Sequence, residues 1–231
     1  MPSDSELLRA HVGALFTQDD ADRLIRVNEP GGKPAPRFFL GQTTEGSAWW
    51  FRADLTEDTM HRLEAACAVL PDLLTAEPSH DRVAPFRAIL ERSAPIEAAW
   101  AGPAFHFPDL PAVSSSSVRI TRANADLLKP YLESWSDDVA RGQTLYAVVV
   151  GGKAVSVCAS VREGAAHEAG VETALAFRGN GYAGQAVSAW AAAVRQMNRV
   201  PLYSTSWTNT ASRAVARKLN LVQFAGDLHF G

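Results

Sequence analysis

The chain is short of cysteine, of long apolar runs and, towards its C-terminal end, of acid, and each shortage excludes something. Cys67 and Cys158 are its only cysteines. They lie far apart in sequence, so no dense disulfide framework or paired metal-ligand motif is available. They read as free thiols of a reducing compartment, and no metal is expected. No stretch approaches the roughly twenty apolar residues that cross a bilayer. The opening MPSDSELLRAHVGALF is charged where a secretory leader would be apolar. A cytoplasmic protein without membrane contact is therefore expected.

The shortage of acid is local. No Asp or Glu occurs between Thr173 and Gly226, whereas Arg178, Arg195, Arg199, Arg213, Arg217 and Lys218 do. Residues 173–231 thus carry six bases and one acid, net +5, and residues 1–172 carry sixteen bases and twenty-four acids, net -8. Such polarity points to an anion at the C-terminal part. A pI near 6.1 and the lack of a dense Lys/Arg cluster argue against nucleic acid. No coiled-coil repeat marks an oligomeric state. What is present is otherwise ordinary: 231 residues, 47% hydrophobic, ample for a substantial core.

Two turn-rich stretches, 28–36 and 102–117, break the chain, and the second is read as a domain boundary. It divides an N-terminal α+β portion, 1–112, from a C-terminal domain, 113–231. In the first, 37–41 and 47–55 form a predicted hairpin and Thr56 heads a predicted helix. A second helix is expected at about 81–100. Trp49, Trp50 and Trp100 fit a core better than a ligand platform. In the second, a strand over SVRIT precedes helical segments interrupted at Pro130. Runs 144–150 and 153–161 flank Gly151-Gly152, the strongest hairpin signal present. A strand at 167–173, a helix from Gly181, a strand at 201–207, a helix capped by Asn209 and a last strand complete the order. Ala211, Val215 and Leu219 mark one face of that last helix.

The most informative residues are Arg178-Gly179-Asn180-Gly181-Tyr182-Ala183, between strand and helix. A glycine turn there bares backbone N–H groups at a helix N-terminus, where the dipole adds positive potential. Two anion motifs run through it. Gly179, Gly181 and Gly184 fit GxGxxG, a dinucleotide fingerprint, but no acid follows at about twenty residues for the ribose hydroxyls. An NADP-dependent oxidoreductase is the weaker reading. Arg178, Gly181 and Ala183 fit R-x-x-G-x-A, which resembles the pyrophosphate loop of the GNAT superfamily of acyl-CoA-dependent N-acetyltransferases. STSWTNTASRAVARKLNL similarly resembles that family's fifth strand and following helix, and the likeness covers about half of the chain.

The resemblance implies an α/β GNAT acyltransferase fold, a mixed and splayed central sheet with flanking helices, preceded by the smaller α+β portion. It implies acetyl-CoA as co-substrate and an amine or peptide N-terminus as acceptor. Val171 and Thr173 would offer backbone groups to pantetheine. Residues Gly179, Asn180, Gly181, Tyr182 and Ala183 would hold pyrophosphate, with Arg178 beside them, and Asn209 and Ser212 would touch the cofactor. A base must deprotonate the amine. Glu172 is the first candidate and His167 the second. The sequence departs from the family pattern at three places. Leu175 stands for a proline, Asn220 for a glycine, and Ala216 for the tyrosine that protonates the departing thiolate. Tyr182, Tyr203, Ser204, Ser206 or water would then serve, or the protein would bind CoA as a regulator without chemistry. The N-terminal portion is expected to cover the acceptor side, so that truncation near Ser114 would spare CoA binding.

Overall fold

A computed structural model describes residues 2–109 and 116–231. The expected boundary at 112/113, like Ser114, lies outside the described residues. The chain divides into two compact units. One comprises Met1–Phe105, Ser204–Thr210 and Gln223–Gly231, and the other His106–Tyr203 and Ala211–Val222.

The first unit opens with helix α1 (Asp4–Leu15), begun by a capping box in which Ser3 and Glu6 each accept the other's backbone N–H. Strands β1 (Phe16–Gln18) and β2 (Leu24–Val27) pair antiparallel behind it. The expected hairpin is formed by β3 (Phe38–Thr43) and β4 (Gly46–Phe51), in register from Phe38–Phe51 to Thr43–Gly46. Helix α2 (Glu57–Ala66) starts at Thr56, whose hydroxyl accepts from Thr59 N–H. Helix α3 (His80–Leu90), strand β5 (Ala99–His106) and strand β11 (Val222–Phe230) complete the unit, with strand order β4-β3-β11-β5. Phe38, Leu40, Leu63, Phe86, Leu90, Leu228 and Phe230 form its core.

Two expectations are corrected here. The helix expected over 81–100 ends at Leu90. The buried Arg37 guanidinium takes the carbonyls of Leu90, Ala94 and Pro95 at 2.9–3.0 Å, and Ala94, preceding Pro95, is biased away from helix. The turn-rich 102–117 stretch begins inside β5. Gly102 is needed there because the Thr205 carbonyl occupies the space of a Cβ, while Thr205 and Trp207 donate to the Pro103 and Ala101 carbonyls.

The second unit carries strands β6 (Ser117–Ile120), β7 (Leu145–Val150), β8 (Lys153–Glu163), β9 (Ala166–Thr173) and β10 (Val200–Ser204) in spatial order β10-β9-β8-β7-β6. The β7–β8 hairpin turns on Gly151 and Gly152, both at positive φ (57° and 74°), as its two-residue turn requires. Neighbours from β6 to β9 are antiparallel, and β9 and β10 are parallel. Short 3-10 turns at Ala125–Leu128 and Glu133–Trp135 lead into helix α4 (Ser136–Arg141). They cover one face of the sheet, where Ile120, Leu128, Leu132, Val139 and Val157 pack. Helix α5 (Tyr182–Gln196) buries Val187, Trp190 and Val194. Helix α6 (Thr210–Lys218) buries Ala216, one position round from the Val215 expected on its face.

The first unit is pinned by a polar contact without solvent access. His11 on α1 and Asp227 on β11 meet at 2.9 Å, both side chains fully buried. Exposed pairs such as Arg62–Asp58 contribute about 0.5 kcal/mol at most. Removing one member of a buried pair costs roughly 3–5 kcal/mol, because the other is left uncompensated. His11→Leu is therefore expected to lower unfolding stability by about 3 kcal/mol, read as a shifted urea midpoint. An effect below that of Asp58→Ala on α2 would show that the pair does not hold the unit.

Candidate active site

The site is built where two parallel strands part. The register of β10 on β9 covers three pairs only: Val200–Ala166, Pro201–His167 and Leu202–Glu168. Beyond them, Ala169–Thr173 pair with β8 alone among the described residues. Which way their backbone points follows from one bond. Ala174 N–H donates to Val155 O, so positions 174, 172 and 170 face β8. Val171 and Thr173 therefore turn N–H and C=O away from β8, into the opening beside β10. The Thr173 carbonyl accepts from Arg178 Nε at 3.2 Å, so Arg178 is folded back onto the end of the strand.

At that end a 3-10 turn, Leu175–Phe177, leads into Arg178–Gly181 and then α5. Gly179 and Gly181 stand at φ +83° and +81°, with nothing within 4 Å of where a Cβ would be. Conformation, not crowding, demands glycine at both. Asn180 Nδ2 ties the loop by donating to the Phe177 and Arg178 carbonyls. Gly181 caps α5 without a side-chain acceptor, and the first turn holds no acid. The N–H groups of Tyr182 and Ala183 thus stand at a positive helix end that no side chain of the helix neutralises. Gly184, third glycine of the dinucleotide pattern, is an ordinary helix residue, where a Cβ would meet Leu219 at 3.6 Å, an ordinary contact.

The two candidate bases lie on opposite faces of β9, five residues and about 16 Å apart along the strand. His167 is buried on the α5 side. Ser160 Oγ accepts from Trp190 Nε1 at 2.9 Å and meets His167 Nδ1 at 2.9 Å. Burial, aided by the positive Arg199, holds the imidazole below its ordinary value. It is a neutral core group, remote from the loop. Glu172 is exposed on the other face, and its Oε2 accepts from Trp135 Nε1 at 2.6 Å. Trp135 was not legible as a partner, because 37 residues separate the two and no local spacing relates them. Glu168 shares the Glu172 face and is buried at the last β9–β10 pair.

On α6, Ser212 Oγ lies 2.6 Å from the Tyr203 hydroxyl, so its hydroxyl is engaged by β10. Burial pushes the Tyr203 phenol up to about 12. Ala216, one helical turn beyond Ser212, is buried. Asn209 falls with the first unit, in the turn Ser206–Thr210 that leads into α6. No group of three or more His, Cys, Asp or Glu among the described residues is placed to hold a metal ion. No helix among them is long and apolar enough to cross a membrane.

Solved structures carry the same fold. A GCN5-related N-acetyltransferase-like protein from Streptococcus suis 89/1591 superposes with TM-score 0.50 at 16% identity, over 85% of either chain. A protein of the GNAT family from Novosphingobium aromaticivorans DSM 12444 gives 0.49 at 14% identity over 58% of this chain, which spans 65% of that one, under two thirds. A GNAT-family acetyltransferase from Colwellia psychrerythraea gives 0.48 at 9% identity, over 79% of this chain and 75% of its own. No protein-family model and no curated protein matches the sequence. The chain has the fold of the GNAT N-acetyltransferases, a mixed α/β fold, as expected.

The buried histidine makes a measurable prediction. Its folded pKa lies below its ordinary 6.5, so as pH falls below about 6.5 the unfolded chain takes a proton that the native chain refuses. Stability should therefore fall between pH 6.5 and the depressed folded value. His167→Gln should reduce that slope, read from urea midpoints at pH 7.5 and 5.5. An unchanged slope would remove the histidine from this account.

Proposed function

We propose that this chain transfers a short acyl group, acetyl in the first instance, from acyl-CoA to an amine. The observation that carries the proposal is the opening between β9 and β10, which runs straight into an uncapped, glycine-turned helix N-terminus. Donors spaced along a strand edge suit the amides of a pantetheine arm, and converging N–H groups at a helix end suit a pyrophosphate. The acid-free, basic segment from Thr173 onward suits the phosphates' charge.

Each residue then has a task. Backbone N–H groups from Gly179 to Ala183 bind pyrophosphate, and Arg178 steadies the strand end through the Thr173 carbonyl. Val171 and Thr173 pair with the pantetheine arm, which extends along β9 towards Ala169. A strand N–H directed into the opening polarises the thioester carbonyl. Glu172 takes the ammonium proton of the acceptor so that the amine can attack. The C–N bond forms, the C–S bond breaks, and thiol leaves. A phenol pushed up to about 12 is a poor donor to a thiolate, so the departing sulfur takes its proton from water. His167 has no part in the transfer. Asn209 and Ser212 serve α6 first.

Ala216 favours a second reading, in which the protein binds CoA without turning it over. Calorimetric titration with acetyl-CoA, CoA and NADPH, followed by thiol release with a panel of amines, separates the readings. The proposal expects the CoA species alone to bind and some amine to release thiol. Gly181→Val, strained at φ +81°, should weaken CoA binding at least tenfold. Glu172→Gln should leave that binding intact and lower turnover by about 10²–10⁴-fold. NADPH binding with CoA silent would overturn both readings, and CoA binding without turnover of any amine would leave the second.

A further inference from the structure

The acceptor side of β9 carries a contact that neither the fold nor the CoA site requires. Trp135 stands at the junction of its 3-10 turn and α4, and its ring packs on the core that contains Leu128 and Leu132. The ring reaches over Gly170, where a Cβ would lie 3.1 Å from Trp135 Cη2 and 2.2 Å from Val161 Cγ1. A side chain at 170 would collide first with Val161 and would also crowd the indole. From this seat Trp135 Nε1 donates to Glu172 Oε2 at 2.6 Å, the one hydrogen bond to that exposed carboxylate among the described residues. A charge-assisted bond from a core-anchored ring fixes a group that solvent would otherwise leave mobile. Oε1 stays open.

Exposed apolar side chains stand on the same two segments as this hydrogen bond. Leu175, three residues on, is 79% exposed, and Tyr131, four residues before Trp135, is 43% exposed and meets Phe177 edge-on at 5.3 Å. Single exposed apolar side chains are commonplace. Here they lie on two segments joined by the Trp135–Glu172 bond and the Tyr131–Phe177 ring contact. The Lys153 ammonium lies over the Tyr131 ring at 5.8 Å, and Glu133 adds negative charge from the same turn.

We propose that Trp135, Glu172 and the apolar groups beside them form the acceptor subsite, and that its ligand is a monoamine carried on an aromatic or alkyl body. The ammonium meets Glu172 Oε1 and the indole face, a cation–π contact, and the body lies on Leu175 and Tyr131. Trp135 thus both holds Glu172 and touches the ammonium. This deepens the acyltransferase reading and rests on it for the acceptor's fate, but not for its binding.

The test uses the full chain with ¹⁵N-labelled tryptophan, with and without CoA. The Trp135 indole resonance is the one missing from Trp135→Phe. Phenethylamine is expected to shift it saturably, at a concentration at least tenfold below that needed for ethanolamine or spermine. Glu172→Gln should weaken that response at least tenfold, and Trp135→Phe should weaken phenethylamine binding measured calorimetrically while leaving CoA affinity within twofold. No shift by phenethylamine in either state overturns the subsite. So does a preference for spermine, or a response indifferent to Glu172→Gln. Failure of the acyltransferase reading is separate: CoA does not bind while phenethylamine still moves Trp135.

Discussion

Everything in the candidate site depends on where the pairing of β9 and β10 stops. Parallel strands are held by slanted, evenly spaced bonds, and a register of only three pairs leaves the rest of each strand to find other partners. On β9 the alternation of pleat and hydrogen-bond direction then sorts the residues. Those facing β8 are satisfied, whereas Val171 and the Thr173 N–H point into the opening without a strand partner among the described residues, the Thr173 carbonyl being held by Arg178 Nε. Unsatisfied backbone is costly when dry. An opening of this kind favours an occupant with amides of its own, and a loop rich in free N–H groups at its mouth favours one that is also a polyanion. The strand separation thus bears on the proposed ligand before any side chain is considered.

The loop depends on the same economy of side chains. Positive φ at Gly179 and Gly181 turns the chain tightly enough to aim consecutive N–H groups one way, and open space at both leaves the anion room. Asn180 holds the turn from within by bonding two carbonyls. Acid is absent from the loop and from the first turn of α5, where one carboxylate would cancel the helix end's positive potential.

The legible and illegible parts of the chain divide by sequence distance. Gly151-Gly152 announced its hairpin and Arg178–Ala183 its loop, because each is set by neighbouring residues. Ser3-Asp4-Ser5-Glu6 likewise carries the S-x-x-E signature of α1, although its apolar periodicity is weak. Tertiary partners decided the rest. Arg37 ends α3 from more than fifty residues away, and the carbonyl of Thr205 explains Gly102 inside β5. A reader of composition sees turn formers at 102–108 and cannot know that a strand needs a bare Cα there. In the site, the strand and loop were readable, but the faces of β9 were not. Glu172 is the first candidate base and His167 the second, and the structure puts them on opposite sides, one in the core and one in the open.

That division of faces explains why so few residues of β9 are free to vary in role. Its α5 side carries His167 into the buried Ser160–Trp190 network and Thr173 onto Ser156, polar contacts that fix the strand. Its other side carries Glu168, Gly170 and Glu172. Gly170 has no side chain because Val161, and less tightly Trp135, occupy the space a Cβ would take. Chemistry that needs a titratable group in contact with solvent is confined to Glu172, because Glu168 is buried at the last strand pair. Period-two geometry therefore separates support from reaction within eight residues, and places the oriented carboxylate beside the one aromatic ring that the strand makes room for.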